Sequence, residues 1–258
     1  MTDLLQLEKT GNTAVITFNN PPAHTWTVES LSALTTMVEQ LNQDKDIYAL
    51  VLTGGGEKFF SAGADLNLFA DGDKETATLM SNLFGQAFET LSSFRGVSIA
   101  AINGWSMGGG LEVALACDLR IAEEHANMAL PEASVGLLPC AGGTQNLHLL
   151  VGEGWTKRMI LCGERVDAAT ALRIGLVEEV VAKGAAKDAA IALAGKVARQ
   201  SPVAVAACKE LIQMNRSMPI SKALPIERAA FVDLFDSKDQ SEGVNAFLEK
   251  RKPIWLNE

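Results

Sequence analysis

A run of apolar strand character, "SIAAIN" (Ser98–Asn103), passes through a cluster of glycines into a helix that lasts to Ala116. No other stretch limits the fold as much. A strand that hands over to a helix through Gly108, Gly109 and Gly110 is the junction of an α/β architecture. Glycine carries no side chain, so a ligand oxygen can reach the backbone N–H groups at the positive end of that helix. Glu112 follows Gly109 by three residues and lies on the same helical face. A bare N–H and a carboxylate sharing one space can hold an oxyanion and move a proton. The plainer role for Glu112 taken alone is a first-turn glutamate favoured by the helix dipole.

The same residues contain a competing pattern. Gly104-Trp105-Ser106-Met107-Gly108 spells G-x-S-x-G, the nucleophile elbow of serine hydrolases, which also needs a strand before it and a helix after it. That chemistry further needs a histidine base late in the chain. Only His125 and His148 follow Ser106, and residues 149–258 contain none. The glycines are therefore expected to carry the chemistry, and the hydrolase reading ranks last.

Strands are expected at Thr13–Phe18 and Tyr48–Thr53, two short β-branched and apolar runs, and at "LRIAEE" and "NMAL". Leu31, Leu34, Val38 and Leu41 recur at helical spacing behind Thr27, a suitable N-cap. Leu79, Leu83, Phe88 and Leu91 mark a second amphipathic helix. Beyond residue 142 the pattern is mainly helical, with one strand-like run at Leu176–Ala182. From Ala185 onward the chain reads as three or four helices, one starting at Pro202, whose missing N–H suits the first helical position.

Composition narrows the function. The chain of 258 residues has 22 Lys+Arg against 31 Asp+Glu, a net charge of −9, which argues against nucleic acid as a partner. A small anionic ligand held by local cations remains compatible with it. Cys117, Cys140, Cys162 and Cys208 form no C-x-x-C pair and are expected to be reduced thiols. The start, "MTDLLQLEKT", has no basic region followed by an apolar one, and no apolar run approaches the roughly 18 residues of a membrane span. A cytoplasmic protein with no membrane partner is expected.

Two further stretches bear on chemistry. "EKFFSAGADLNLF" (Glu57–Phe69) is a second small-residue turn after a strand and offers an N–H near Gly63-Ala64. "LPEASVGLLPCAGGTQ" (Leu130–Gln145) places Glu132 after a proline at a strand end. Its apolar flanks predict partial burial and a raised pKa, suited to acid–base work. A capped or salt-bridged structural glutamate is the alternative.

With the segment "NGWSMGGGLEVALACD" and the tail "FLEKRKPIW", these stretches resemble the crotonase family, the enoyl-CoA hydratases and isomerases, in order and spacing over nearly the whole chain. The resemblance implies an α/β fold, a crotonase-type spiral of repeated ββα turns over residues 1–195. A C-terminal helical trimerisation region would follow over residues 196–258, in a homotrimer or homohexamer. The implied activity is that of a lyase hydrating trans-2-enoyl-CoA thioesters to 3-hydroxyacyl-CoA. A 3,2-enoyl-CoA isomerase is the alternative, and a non-catalytic acyl-CoA- or RNA-binding relative a third reading.

By resemblance, the backbone N–H groups of Ala64 and Gly109 hold the thioester oxygen. Glu112 and Glu132 match the two hydratase glutamates, one helping water attack C3 and the Glu132 position mainly delivering the proton to C2. Substrate contacts fall to Ala62, Asp65, Leu66 and Lys58. Lys250 and Lys252, flanking Arg251, are further contacts, which in the family often reach a neighbouring subunit's CoA. A solvated helix end is an equal reading of that basic tail. No cofactor or metal is implied, since CoA is part of the substrate. Phe69, Leu79, Met80 and Phe84 are expected to wall the acyl pocket. Such chemistry serves fatty-acid, branched-chain amino-acid and aromatic-acid catabolism alike.

The chain departs from the family pattern in three places. His24, Thr25 and Trp26 replace an asparagine-containing segment, Cys140 stands where glycine is usual, and Asn146 stands where arginine is common.

Overall fold

The chain winds back and forth between two sheets. The computed structural model describes residues 3–258, so the first two residues of the N-terminal stretch lie outside it. β1 (Leu5–Thr10) and β2 (Thr13–Phe18) pair antiparallel. α1 (Val28–Gln43) then crosses to β3 (Ala49–Gly54), which lies parallel to β2. Thr27 caps α1 with Ser30 in a reciprocal capping box, and Leu31, Leu34, Val38 and Leu41 are buried.

From β3 onward one unit repeats: a strand in a large sheet, a short strand in a small sheet, then a helix. The first turn is β3, β4 (Phe59–Ser61) and α2 (Lys74–Ser92). The second is β5 (Val97–Ile102), β6 (Trp105–Met107) and α3 (Gly109–Ala116). The third is β7 (Leu119–Glu123), β8 (Asn127–Ala129) and, after a 3-10 turn at Glu132–Val135, α4 (Gly143–Leu161). β9 (Val166–Asp167), α5 (Ala168–Ile174) and β10 (Glu179–Val181) complete the sheets, and α6 (Ala186–Val197), α7 (Pro202–Met214), α8 (Ile220–Asp233) and α9 (Lys238–Leu248) follow. The large sheet runs β1-β2-β3-β5-β7-β10 and the small one β4-β6-β8-β9. This is the ββα spiral.

Each face of the large sheet is covered by helix. Ala186, Ala190 and Ala194 repeat at i, i+4 and i+8 on α6 and are fully buried against Val15, Val51, Ile99 and Ile121. Small side chains let that helix lie close to the strands. Trp26, Leu34, Leu50, Leu52 and Phe60 fill the other side, each large side chain contributing about 1.5–3 kcal/mol on burial.

The spiral also positions the site. β4, β6 and β8 are parallel neighbours, so their C-terminal ends align. The segments leaving those ends, the turn at Ala62–Ala64, Gly108-Gly109 and Pro131-Glu132, therefore emerge side by side although they are far apart in sequence.

Several elements differ from the sequence expectation. β1 carries only two inward apolar residues, Leu5 and Leu7, too few for a visible alternation. β10 spans three residues, because Leu176 and Val177 are buried before the strand begins. α4 is broken at Gly152, whose φ of 73° and ψ of 170° are non-helical.

Candidate active site

Two turns meet at the start of α3. Gly63 has φ +87°, and a Cβ there would stand 2.8 Å from the Met107 carbonyl oxygen and 3.0 Å from the Gly109 nitrogen. Gly110 approaches closer still: a Cβ would lie 2.0 Å from the Ser61 carbonyl oxygen. The turn after β4 thus lies directly against the first turn of α3. Gly108 caps that helix without a side-chain hydrogen bond; its carbonyl takes the Leu111 and Glu112 N–H groups and leaves that of Gly109 to other partners. Neither the Ala64 nor the Gly109 N–H donates to another group among the described residues. Both residues line a cavity of about 810 Å³.

Trp26 holds the Ala64 turn in place. Its backbone N–H donates to Gly63 O at 2.8 Å, and its indole stacks edge-on with Phe18 and Phe88. His24 is buried, with Nδ1 accepting from the Asn20 N–H at 3.1 Å and Nε2 2.7 Å from Gly55 O. That pairing requires the neutral tautomer protonated on Nε2. Of the three residues replacing the family's segment, only Thr25 lines the cavity; His24 and Trp26 buttress the loops behind it.

Two carboxylates face the cavity in unlike environments. Glu112 is 3% exposed, and its Oε1 accepts from the Ala141 and Gly143 N–H groups at 2.8 and 2.9 Å. Burial raises its pKa while those two donors pull it back. Glu132 opens the 3-10 turn after β8, and its Oε2 is buried without a hydrogen-bond partner among the described residues. Burial, reinforced by the Glu112 charge, pushes its pKa to about 7. At neutral pH one carboxyl is fixed by donors, and the other is poised between its two protonation states.

The remaining wall is mostly apolar: Leu66, Phe69, Met80 and Phe84 on one side, Val135, Leu137 and Leu138 on the other. Leu79, half exposed, stays outside it. Ala62 and Leu66 lie in the lining, whereas the Asp65 carboxylate turns away to cap Asn67 at 3.0 Å. Lys58 stands exposed over the Phe59 ring, and Lys250 and Lys252 sit on the exposed tail, all three outside this chain's cavity lining. Lys74, at the start of α2, is in the lining and was not singled out by its sequence context. Cys140 also lines it, its thiol pushed up to about 11 by burial and by both glutamates, and hence kept protonated.

Ser106 is fully buried in β6, and its Oγ donates to Gly110 O at 2.9 Å. It lines no part of the cavity and has no histidine partner among the described residues, so the hydrolase reading fails on geometry.

Comparison with known proteins identifies the family. The enoyl-CoA hydratase/isomerase family profile matches residues 8–258. The chain belongs to that family. It is 38% identical over 251 residues to the short-chain-enoyl-CoA hydratase of Clostridium acetobutylicum, covering 95% of each chain. Among solved structures, DspI of Pseudomonas aeruginosa is 67% identical with a TM-score of 0.97, over 98% of this chain and 97% of that one. The enoyl-CoA hydratase of Bacillus anthracis is 35% identical with a TM-score of 0.95, over 99% and 100% of the two chains. Membership brings enoyl-CoA hydratase/isomerase-type activity. No helix among the described residues is long and apolar enough to cross a membrane.

Proposed function

We propose that this chain hydrates trans-2-enoyl-CoA thioesters to 3-hydroxyacyl-CoA. Two carboxylates of unlike environment, facing one cavity beside a pair of free backbone N–H groups, carry that reading. The thioester oxygen accepts from Ala64 and Gly109. Glu112, ionised and held through Oε1, takes a proton from water with its second oxygen while the water oxygen bonds to C3. The C2=C3 electrons move toward the thioester, and the enolate oxygen is held by the two N–H groups. Losing one such donor costs about 10²–10³ in rate. Glu132, protonated, delivers its proton to C2. Transfer of the proton from Glu112 to Glu132 resets the site.

The chain also assembles as a trimer or hexamer through its C-terminal helical region, residues 196–258, behind a spiral core of residues 1–195. Ile220, Phe231, Phe235 and Phe247 leave apolar side chains 58–83% exposed there, which supports a partner surface. Lys250 and Lys252 then serve a neighbouring subunit's CoA.

The test replaces each glutamate by glutamine, which keeps size but cannot shuttle a proton. Each variant is expected to lower hydration by at least about 10², with acyl-CoA affinity changing far less. The double variant is expected to be little worse than the poorer single one. Full turnover in Glu112→Gln, with loss only in Glu132→Gln, would instead favour the 3,2-enoyl-CoA isomerase, which can work with Glu132 alone.

A further inference from the structure

A second cavity, of about 240 Å³, opens behind the loop that clamps Glu112. It is lined by α2 on one side and by the Cys140–Gly142 loop and Asn146 on the other. Cys140 lines both cavities and so stands between them. Ala141, whose N–H holds Glu112 Oε1, forms part of the partition.

The two spaces differ in character. The front cavity is walled mainly by apolar side chains, and exposed Leu66, Val135, Leu137 and Leu138 rim its mouth. The rear cleft is lined by the polar residues Glu89, which is exposed, Ser92 and Asn146, beside Phe88 and Ala116. Polar groups in a space of that size suit water, at about 30 Å³ per molecule.

Gly85 supplies an independent observation. It lies inside α2, where glycine costs roughly 1 kcal/mol relative to alanine. A turn or a tight contact would explain it, and neither is present. Its φ is ordinary for a helix, and a Cβ there would meet only Glu89 Oε1, at 3.6 Å. What the missing side chain does is leave the rear cleft open, since Gly85 lines it.

We propose that the cleft bounded by Gly85, Glu89, Ser92, Asn146 and the Cys140–Gly142 loop is a water port that supplies the hydration step from behind Glu112. The inference rests on the hydratase reading. An acyl-CoA ester entering through the front fills the apolar mouth and seals it. Each turnover consumes one water, its hydroxyl going to C3 and a proton to C2. With the front closed, the polar cleft is the side from which that water is replaced.

Filling the cleft tests the port without threatening the fold. Gly85→Ala, Gly85→Leu and Gly85→Phe place progressively larger side chains into it, on a helix that gains propensity from losing glycine. Hydration turnover is expected to fall with side-chain volume, by at least about fivefold in Gly85→Leu, on the scale of displacing an ordered water. Affinity for a saturated acyl-CoA, which needs no water, is expected to hold within twofold, and the melting temperature to stay level or rise. Ser92→Leu, entering from the end of α2, is expected to give the same pattern. Undiminished turnover in Gly85→Leu and Gly85→Phe overturns the port, as does an equal loss across all three Gly85 variants, which would indict the helix backbone. A wild-type protein that hydrates no enoyl-CoA overturns the parent reading, and the port with it.

Discussion

Replacing Glu132 by glutamine is expected to stabilise the protein more at pH 8 than at pH 5, each compared with wild type at the same pH. Glu132 is half-buried with an unpartnered oxygen, and its pKa rises from 4.5 to about 7. Below the lower value the folded and unfolded states both hold the proton, and no penalty exists. As pH rises between the two values the unfolded chain ionises first, so the folded state loses stability. Above the upper value the loss is complete. A gap from 4.5 to about 7, at about 1.4 kcal/mol per unit, bounds the effect at about 3 kcal/mol. Water at the cavity mouth screens the charge and reduces the effect to about 1–2 kcal/mol. Glutamine does not ionise, and its own unpartnered amide costs the same at both pH values, so that cost cancels. Urea unfolding of both proteins at both pH values gives the four stabilities needed. A mutational difference that does not change with pH would refute the picture of a proton held on a buried Glu132.

The same titration predicts that hydration slows above about pH 7, where Glu132 loses the proton it must deliver, while dehydration of a 3-hydroxyacyl-CoA gains; pH–rate profiles in both directions check it. Ser106→Ala is expected to leave hydration within a few-fold of wild type and to cost about 1 kcal/mol of stability from the lost bond to Gly110 O, read by denaturant unfolding. A loss of about 10³ in rate would restore Ser106 as a nucleophile. Gly110→Ala drives a methyl to 2.0 Å from the Ser61 carbonyl, where only backbone movement gives relief, so a loss of about 3 kcal/mol or more is expected in thermal unfolding.

Sequence spacing exposes some of this and hides the rest for physical reasons. Thr13–Phe18 is a strand with the expected bounds, because five of its six residues are buried and β-branched or apolar types dominate. Glu112 and Gly109 could be placed together because helical geometry fixes their relation over three residues. Ala64 and Glu132 meet them only through β4, β6 and β8, and three-residue strands are too short to show a period. The reach of Lys74 into the cavity depends on where α2 starts, and the withdrawal of Asp65 from it on how the turn caps itself. The rear cleft is less legible still. Gly85, Ser92 and Asn146 line one space only once α2 packs near the Cys140–Gly142 loop and the start of α4, and nothing in their local sequence connects the three.

The central claim is that this cavity adds water across the double bond of an enoyl thioester. Incubating trans-2-enoyl-CoA esters of varied chain length with the protein in D₂O, and reading the products by mass spectrometry and NMR, tests it directly. The account predicts 3-hydroxyacyl-CoA carrying one solvent deuteron at C2, formed by wild type and lost in Glu112→Gln and Glu132→Gln. Unreacted substrate at every chain length, or a product with a displaced double bond and no added water, would contradict it.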